Sequence, residues 1–505
     1  MTRPNSEPTR RDFLALSASG AAAGMLGARA AGQAENSNPN VGNDATRGDA
    51  GSDRAVRVAV VGLRSRGWRH ALGFQRLPGC EVVALCDVDS AILARRAAEC
   101  AAGGENRPPF EVDTTGDLRT LLTREDVDAI SIATPNHTHA MMACWALDAG
   151  KHVYVEKPVS HTVEEGARIV RAAERSGRVC ATGTQARSAS CVRAAIDHVR
   201  SGGLGEVHCS RGLCYKPRRP IGRVDGPQFV PATVDYDRWL GPVAYRPLVR
   251  SNLHYDWHWD LATGNGDLGN QGIHQMDIAR WALGCDTMPR RVGSIGGRFG
   301  DLDDGDSPNT QLTWFDCDGI PLVFEVRGLP RDRAQRSDKW TMDSHLGQSI
   351  GNVIHGERGI VRISNSYNWA DQLDAEGNKV REWKGAGDHF ANFIDAVRAE
   401  DASRLTASIE DGHLSSAYCH LGILSHRLGV PATPDEVAEA IRHQPEALEA
   451  WDRMRAHLTA NEIDLATNPV MLGRTLEVDP NGETVVGDPG ATAMLARAAR
   501  PPFTF

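Results

Sequence analysis

The chain has no Cys-x-x-Cys pair, and its eleven cysteines show no metal-ligand spacing. That argues against a zinc site, and an odd number cannot pair completely into disulfides. Cys86 and Cys180 sit inside apolar, strand-like runs and read as buried free thiols, with no metal site. No Lys/Arg stripe offsets the formal net charge of −9, so nucleic acid is excluded as a partner. No repeat or low-complexity block interrupts the folded part. The most apolar N-terminal run is too short and too rich in Ala and Gly to span a bilayer dependably.

What is present begins with Thr9-Arg10-Arg11-Asp12-Phe13-Leu14, an Ala/Gly-rich run, and small residues near Ala30 and Ala34. This order resembles a twin-arginine export signal over residues 1–34 and predicts a periplasmic protein with no stable membrane span once the signal is removed. Residues 35–54 contain almost nothing that packs and read as a disordered linker.

From Val56 onward, apolar runs at 56–62, 81–89, 127–134, 152–158 and 178–185 alternate with helical stretches at 67–77, 90–102, 137–149 and 163–176. Apolar strands alternating with helices predict a doubly wound parallel sheet, a Rossmann domain over 55–185. Beyond it, strand-like runs at 292–299, 309–317, 320–328 and 358–363 predict a second α/β domain over 186–430 with a large, mostly antiparallel open sheet. Helices are expected at 388–400 and 409–428, and residues 431–505 read as a helical (434–460) and irregular extension.

Strand one ends in Gly62-Leu63-Arg64-Ser65-Arg66-Gly67, a dinucleotide fingerprint whose middle glycine is arginine. Asp87 ends strand two, where a carboxylate accepts from both ribose hydroxyls and repels a 2′-phosphate, favouring NAD over NADP. The segment 269–281, GNQGIHQMDIARW, places Asn270, His274, Asp277 and Trp281 within an arc of about 60° on a helix, flanked by Ile273 and Ile278. Such a stripe faces something polar. Ahead of it, His254-Tyr255-Asp256-Trp257-His258-Trp259-Asp260 interleaves aromatics with donors and acceptors, so Trp257 and His258 suit a carbohydrate subsite or an aromatic brace.

Ala133-Thr134-Pro135-Asn136-His137-Thr138-His139, Glu156-Lys157-Pro158 and Gly272-Ile273-His274-Gln275-Met276-Asp277 together resemble the Gfo/Idh/MocA family, which includes glucose–fructose oxidoreductase and inositol dehydrogenase. The resemblance covers about residues 56–430. It implies an NAD(P)-dependent oxidoreductase acting on CH–OH groups of a sugar or polyol, and a homo-oligomer built through the second sheet. Lys157 and His274 would be catalytic. Gly62, Arg64, Ser65, Arg66, Gly67, Asp87, Thr134, Pro135, Asn136, His139, Glu156, Lys157 and Gln185 would surround the cofactor. Lys157, Trp257, His258, Asn270, His274 and Asp277 would meet the substrate. Asn270 stands where inositol dehydrogenase has an aspartate, and a carboxamide takes no proton. Asp277 fits a structural role better than a substrate contact.

The chemistry runs parallel to the resemblance. Oxidising a CH–OH group needs a base titrating near working pH and a cation or donor for the developing alkoxide. Histidine suits the first and lysine the second, which assigns His274 as base. An exported enzyme meets little free cofactor, so the NAD is expected to be tightly held and recycled on the enzyme. Relatives that cleave glycosides by transient oxidation and elimination supply an alternative, and a non-catalytic sugar-binding protein a third.

Overall fold

The computed structural model describes residues 54–104 and 107–505. The expected signal and all but the last residue of the expected linker lie outside the described residues.

Six parallel strands open the fold: β1 (Val56–Val61), β2 (Cys80–Cys86), β3 (Asp113–Thr115), β4 (Ala129–Ile132), β5 (His152–Glu156) and β6 (Cys180–Gly183). Their order is β3-β2-β1-β4-β5-β6, so the chain reverses direction between β1 and β4 and leaves a crevice at their C-terminal ends. Helices α1 (Ser65–Gln75), α2 (Ser90–Ala102), α3 (Leu118–Leu122), α4 (Asn136–Asp148) and α5 (Val163–Ser176) connect them. Near-continuous burial along β4, β5 and β6 matches a sheet covered on both faces. The short β3 carries little apolar pattern and was not expected.

The second layer begins with α6 (Ser190–Arg200), β7 (Val207–Tyr215), α7 (Tyr236–Leu240), α8 (Gly266–Asn270) and α9 (Gly272–Leu283). It continues through β8 (Arg291–Gly297), β9 (Thr310–Cys317), β10 (Ile320–Arg327), β11 (Ile350–Gly356), β12 (Gly359–Ser364), β13 (Trp369–Leu373) and β14 (Lys379–Lys384). Next come α10 (His389–Ala399), α11 (Ile409–Arg427), β15 (Val430–Ala432), α12 (Pro434–Ala440), α13 (Pro445–Ala460), β16 (Val470–Leu472), β17 (Leu476–Glu477) and α14 (Pro489–Ala493). Strands β7–β17 form one 11-stranded sheet. All its pairings are antiparallel except β7 with β10, which lie side by side at its centre. All eleven cysteines are buried free thiols.

Three expectations are corrected. The stretch 269–281 is two helices meeting at Gln271, whose φ of −86° and ψ of −41° keep it helical, so the break is a seam rather than a turn. The expected helix 434–460 is also two, because Pro445 has no N–H to continue the first one's ladder. The domain boundaries shift most. Helix α10 joins the Rossmann core: Phe390, Phe393, Ile394 and Val397 pack with Val58, Val60 and Phe74. Phe503 packs with Ala143 and Ile169 in that domain's other layer.

Residues 431–505 are not an appendage. They add three strands to the second sheet, and α13 covers its outer face over β9 and β10 with Trp451, Met454 and Leu458. Burying those side chains contributes about 2 kcal/mol each. The part of the sheet face under α13 is therefore closed to the oligomer contact that the resemblance implied.

Candidate active site

The crevice is built first by glycine. Gly62 leaves β1 with φ +82°, and a Cβ there would stand 2.8 Å from the Ala133 carbonyl carbon. A Cβ on Gly67 would stand 1.6 Å from the Gly62 carbonyl oxygen. Only glycine lets α1 start this close to the β1 turn. Arg64 replaces the middle glycine without strain because its φ is −70°. No side chain caps α1, so its first N–H groups have no side-chain acceptor, and Arg64 and Ser65 are exposed beside them. That arrangement fits a pyrophosphate.

Asp87 accepts from the Leu63 N–H at 2.7 Å and from the Asp89 N–H at 2.9 Å, holding the loop while staying half-buried at the rim. Burial raises its pKa. Thr134 and Pro135 line the same rim. The glycine cradle, the uncapped helix start and the rim carboxylate fit the adenosine and pyrophosphate end of NAD.

Several expected cofactor ligands are already engaged by protein groups. Asn136 donates its amide to the Asn265 side-chain oxygen at 3.0 Å, tying α4 to the second domain. The His139 ring lies 2.7 Å from the carbonyl oxygens of both Pro158 and Thr134, and so fixes the Lys157–Pro158 turn. Arg66 turns inward and donates to Glu156 at 2.6 Å and to the Gln185 side-chain oxygen at 2.9 Å. Glu156 also meets His70 at 3.0 Å. Burial alone would raise the Glu156 pKa, but Arg66 and His70 hold it well below the usual carboxylate range. Asn136, His139, Arg66, Glu156 and Gln185 thus form the floor of the crevice rather than its lining.

Lys157 rises from that floor at the end of β5. Its ammonium donates to the Asn270 carbonyl oxygen at 2.5 Å, across the domain junction. Asn270 therefore meets Lys157 through its backbone, a contact that aspartate and asparagine make equally well. His274 lies one turn further on and is 7% exposed. Its Nδ1 is buried without a partner. Tyr367 flanks the ring, 5.9 Å between centroids.

The electrostatics reverse the expected roles. Burial, then the nearby Lys157 ammonium, hold His274 well below the usual histidine range. Burial also brings Lys157 down to about 8 despite the opposing pull of Glu156. The group titrating near neutrality is Lys157, and the His274 imidazole stays neutral.

The remaining candidates divide. His258 lies within electrostatic range of Lys157 and Arg218: burial pushes its pKa down to about 3, and those two cations lower it further. Trp257 is buried with Trp239, Leu240 and Leu253, and its face is covered by the His258 ring 3.6 Å away. It is a brace. Asp277 points away from the cleft, accepting from Arg187 Nε at 3.0 Å and Ser415 Oγ at 2.8 Å. The predicted stripe splits along the helix axis: Asp277, nearly a turn beyond His274 on α9, meets α11 and the Arg187 loop.

Sequence reasoning missed Lys216, Gln271 and the ion pair of Arg218 with Asp267, 2.6 Å apart. The available signal was Tyr215-Lys216-Pro217-Arg218, cations directly after a buried strand.

Residues 56–184 match the model of the Gfo/Idh/MocA oxidoreductase family's NAD-binding Rossmann fold, and residues 219–305 match its C-terminal alpha/beta domain. A glycosyl hydrolase family 109 protein of Shewanella sp. (strain W3-18-1) is 36% identical over 173 residues, 34% of this chain and 37% of that protein. One from Shewanella baltica (strain OS155 / ATCC BAA-1091) is 35% identical over 223 residues, 43% of this chain and 48% of that protein. The chain thus matches less than half the length of these curated relatives. Levoglucosan dehydrogenase, solved with NADH and levoglucosan, superposes with a TM-score of 0.53 at 18% identity, over 74% of this chain and 96% of that one. The WlbA dehydrogenase of Bordetella pertussis, solved with NADH and UDP-GlcNAcA, gives 0.52 at 20% identity, over 73% and 97%. At these identities the two structures attest the fold alone. Two family models matched in order, on a crevice of this geometry, lead to one conclusion: residues 56–184 carry the NAD-binding domain, and residues 219–305 the C-terminal domain, of the Gfo/Idh/MocA family of oxidoreductases.

Proposed function

We propose that this protein oxidises a CH–OH group of a sugar or polyol at the junction of its two sheets, with NAD held on the enzyme through the cycle. The observation that carries this reading is the meeting of Lys157, from the end of β5, with the Asn270–His274 turn beside the glycine cradle.

When bound, NAD supplies the acceptor for the hydride that leaves the substrate carbon. The protein supplies the rest. Lys157, with a pKa of about 8, takes the hydroxyl proton as the neutral amine and returns it as the ammonium in the reverse step. His274, neutral and with Nδ1 unpartnered, orients that hydroxyl by a hydrogen bond. Glu156 keeps Lys157 from falling further and anchors Arg66 beneath it.

A second reading is favoured by the glycosyl hydrolase family 109 relatives: transient oxidation, elimination of the aglycone, water addition and re-reduction. The same lysine would serve its redox half-steps. Absorbance in the reduced-nicotinamide band, followed while purified protein meets a sugar panel, separates the two. Lasting reduction until a second sugar is added supports the oxidoreductase; release of an aglycone without net reduction supports the glycosidase. Before either, the nucleotide that copurifies is identified by mass after denaturation. NAD is expected, and its absence from active protein would sink the held-cofactor reading.

We also assign the protein to the periplasm, on the order of Arg10-Arg11, Phe13-Leu14 and the small-residue run. Replacing both arginines by lysine is expected to leave the protein in the cytosolic fraction; unchanged periplasmic yield would refute export by this route. Self-association, implied by the resemblance, is assigned to strands β11–β14, which α13 does not cover.

A further inference from the structure

We propose that the sugar received here carries a carboxylate, of the uronic or aldonic acid kind, and that Lys216 binds it; this rests on the sugar-acting reading above. Lys216 leaves the end of β7 at the centre of the second sheet and donates to Gln271 Oε1 at 2.7 Å. Lys157 donates to the carbonyl of the adjoining residue, Asn270, at 2.5 Å. Two half-buried ammonium groups therefore end on consecutive residues, one turn before His274.

Both rest on neutral oxygens. Among the described residues, neither has a carboxylate oxygen within 4.0 Å. The neighbouring charges are already matched: Arg218 with Asp267 at 2.6 Å, and Arg66 with Glu156 at 2.6 Å. His258 and His274 are held neutral by burial. With Lys157 protonated, these four cations face two carboxylates; with Lys157 as the neutral amine, Lys216 remains the unmatched cation among them.

A half-buried ammonium without a counter-ion is costly, and a neutral sugar cannot relieve it. A carboxylate can, through the donors that Lys216 has left after Gln271 takes one. Lys157 is committed to the reacting hydroxyl, which leaves Lys216 for recognition. The Arg218 fork, which would suit a phosphate, is filled by Asp267.

The test uses the full chain loaded with NAD and matched probes: glucose, galactose and mannose against their uronates, gluconate, and the three hexose 6-phosphates. Affinity is read by isothermal titration calorimetry and turnover by kcat/KM. At least one acid is expected to exceed its neutral counterpart by about ten- to hundredfold, the range of a hydrogen bond to a charged group, and to lose this advantage in high salt. Lys216→Met should bring the ratio near one, while Lys216→Arg keeps the preference and controls for folding. Acids and neutral sugars binding equally, or phosphates alone being preferred, would overturn the carboxylate and leave the sugar-acting reading standing. No sugar of any kind binding or reacting would bring down both.

Discussion

Lys157→Arg is expected to lower kcat for sugar oxidation by about 10²- to 10⁴-fold, the usual worth of a positioned proton-transfer group. The sign with pH follows from the role. A lysine of pKa about 8 is an ammonium below that value and cannot accept the hydroxyl proton. Oxidation by the native enzyme should therefore climb about tenfold per pH unit towards 8 and then level, as for any single required base. Reduction, which needs the ammonium, should show the opposite limb. Arginine keeps the positive charge but does not deprotonate, so the variant should lose the limb as well as the rate. His274→Ala should lower the rate yet keep the limb near 8. If the limb instead moved with His274 and survived Lys157→Arg, the histidine would be the base and the assignment of roles would be wrong.

The second large effect concerns stability. Asp277→Ala removes a carboxylate that is 3% exposed from an Arg187 guanidinium that is 6% exposed. Burial lowers the Arg187 pKa, and Asp277 followed by Asp411 more than restores it, so the arginine remains charged. Stripping one partner from a buried charge costs about 3–5 kcal/mol, and the retained contact to Asp411 sets the expectation at the low end. Thermal unfolding of Asp277→Ala should start well below that of the parent chain. Arg187→Met combined with Asp277→Leu should lose less than either single change, because no lone charge is left. A stable Asp277→Ala protein altered only in KM would instead make Asp277 a substrate contact.

The buried ion pair also bears on the placement of His274. Asp277 and His274 share α9, and Arg187 enters from the loop after β6, so the ion pair sets how that helix meets the Rossmann sheet. Asn136 with Asn265, and Lys157 with Asn270, cross the same junction. The C-terminal segment adds Arg497, which donates to Glu165 at 2.6 Å and to the His137 carbonyl at 2.5 Å. The proposed reacting groups come from the two domains, and these polar contacts span the junction between them.

The parallel sheet was legible because its strands are buried on both faces and its helices alternate with them, a pattern written in consecutive residues. The cradle was legible because Gly62 and Gly67 answer local needs: one a left-handed φ, the other the absence of a Cβ. Lys157 and His274 were legible as a lysine ending a strand and a histidine on a helix. Lys216 was not, since a lysine ending a strand reads as solvated until α8 and α9 are seen across from it. The fates of Asn136, His139 and Glu156 were likewise hidden. Their partners, Asn265, Pro158 and Arg66, lie at other points of the chain, and local sequence carries no record of such pairings.

By itself the sequence determined the alternation of strands and helices, the nucleotide-binding turn and the lysine and histidine available for chemistry, because each depends on neighbours in the chain. Only the tertiary structure decided which of the two titrates near neutrality, where Asp277 points, and that α10 and residues 431–505 belong to the two cores. A pKa depends on burial and on charges brought from elsewhere. A helix's partner depends on which apolar faces the whole fold leaves uncovered.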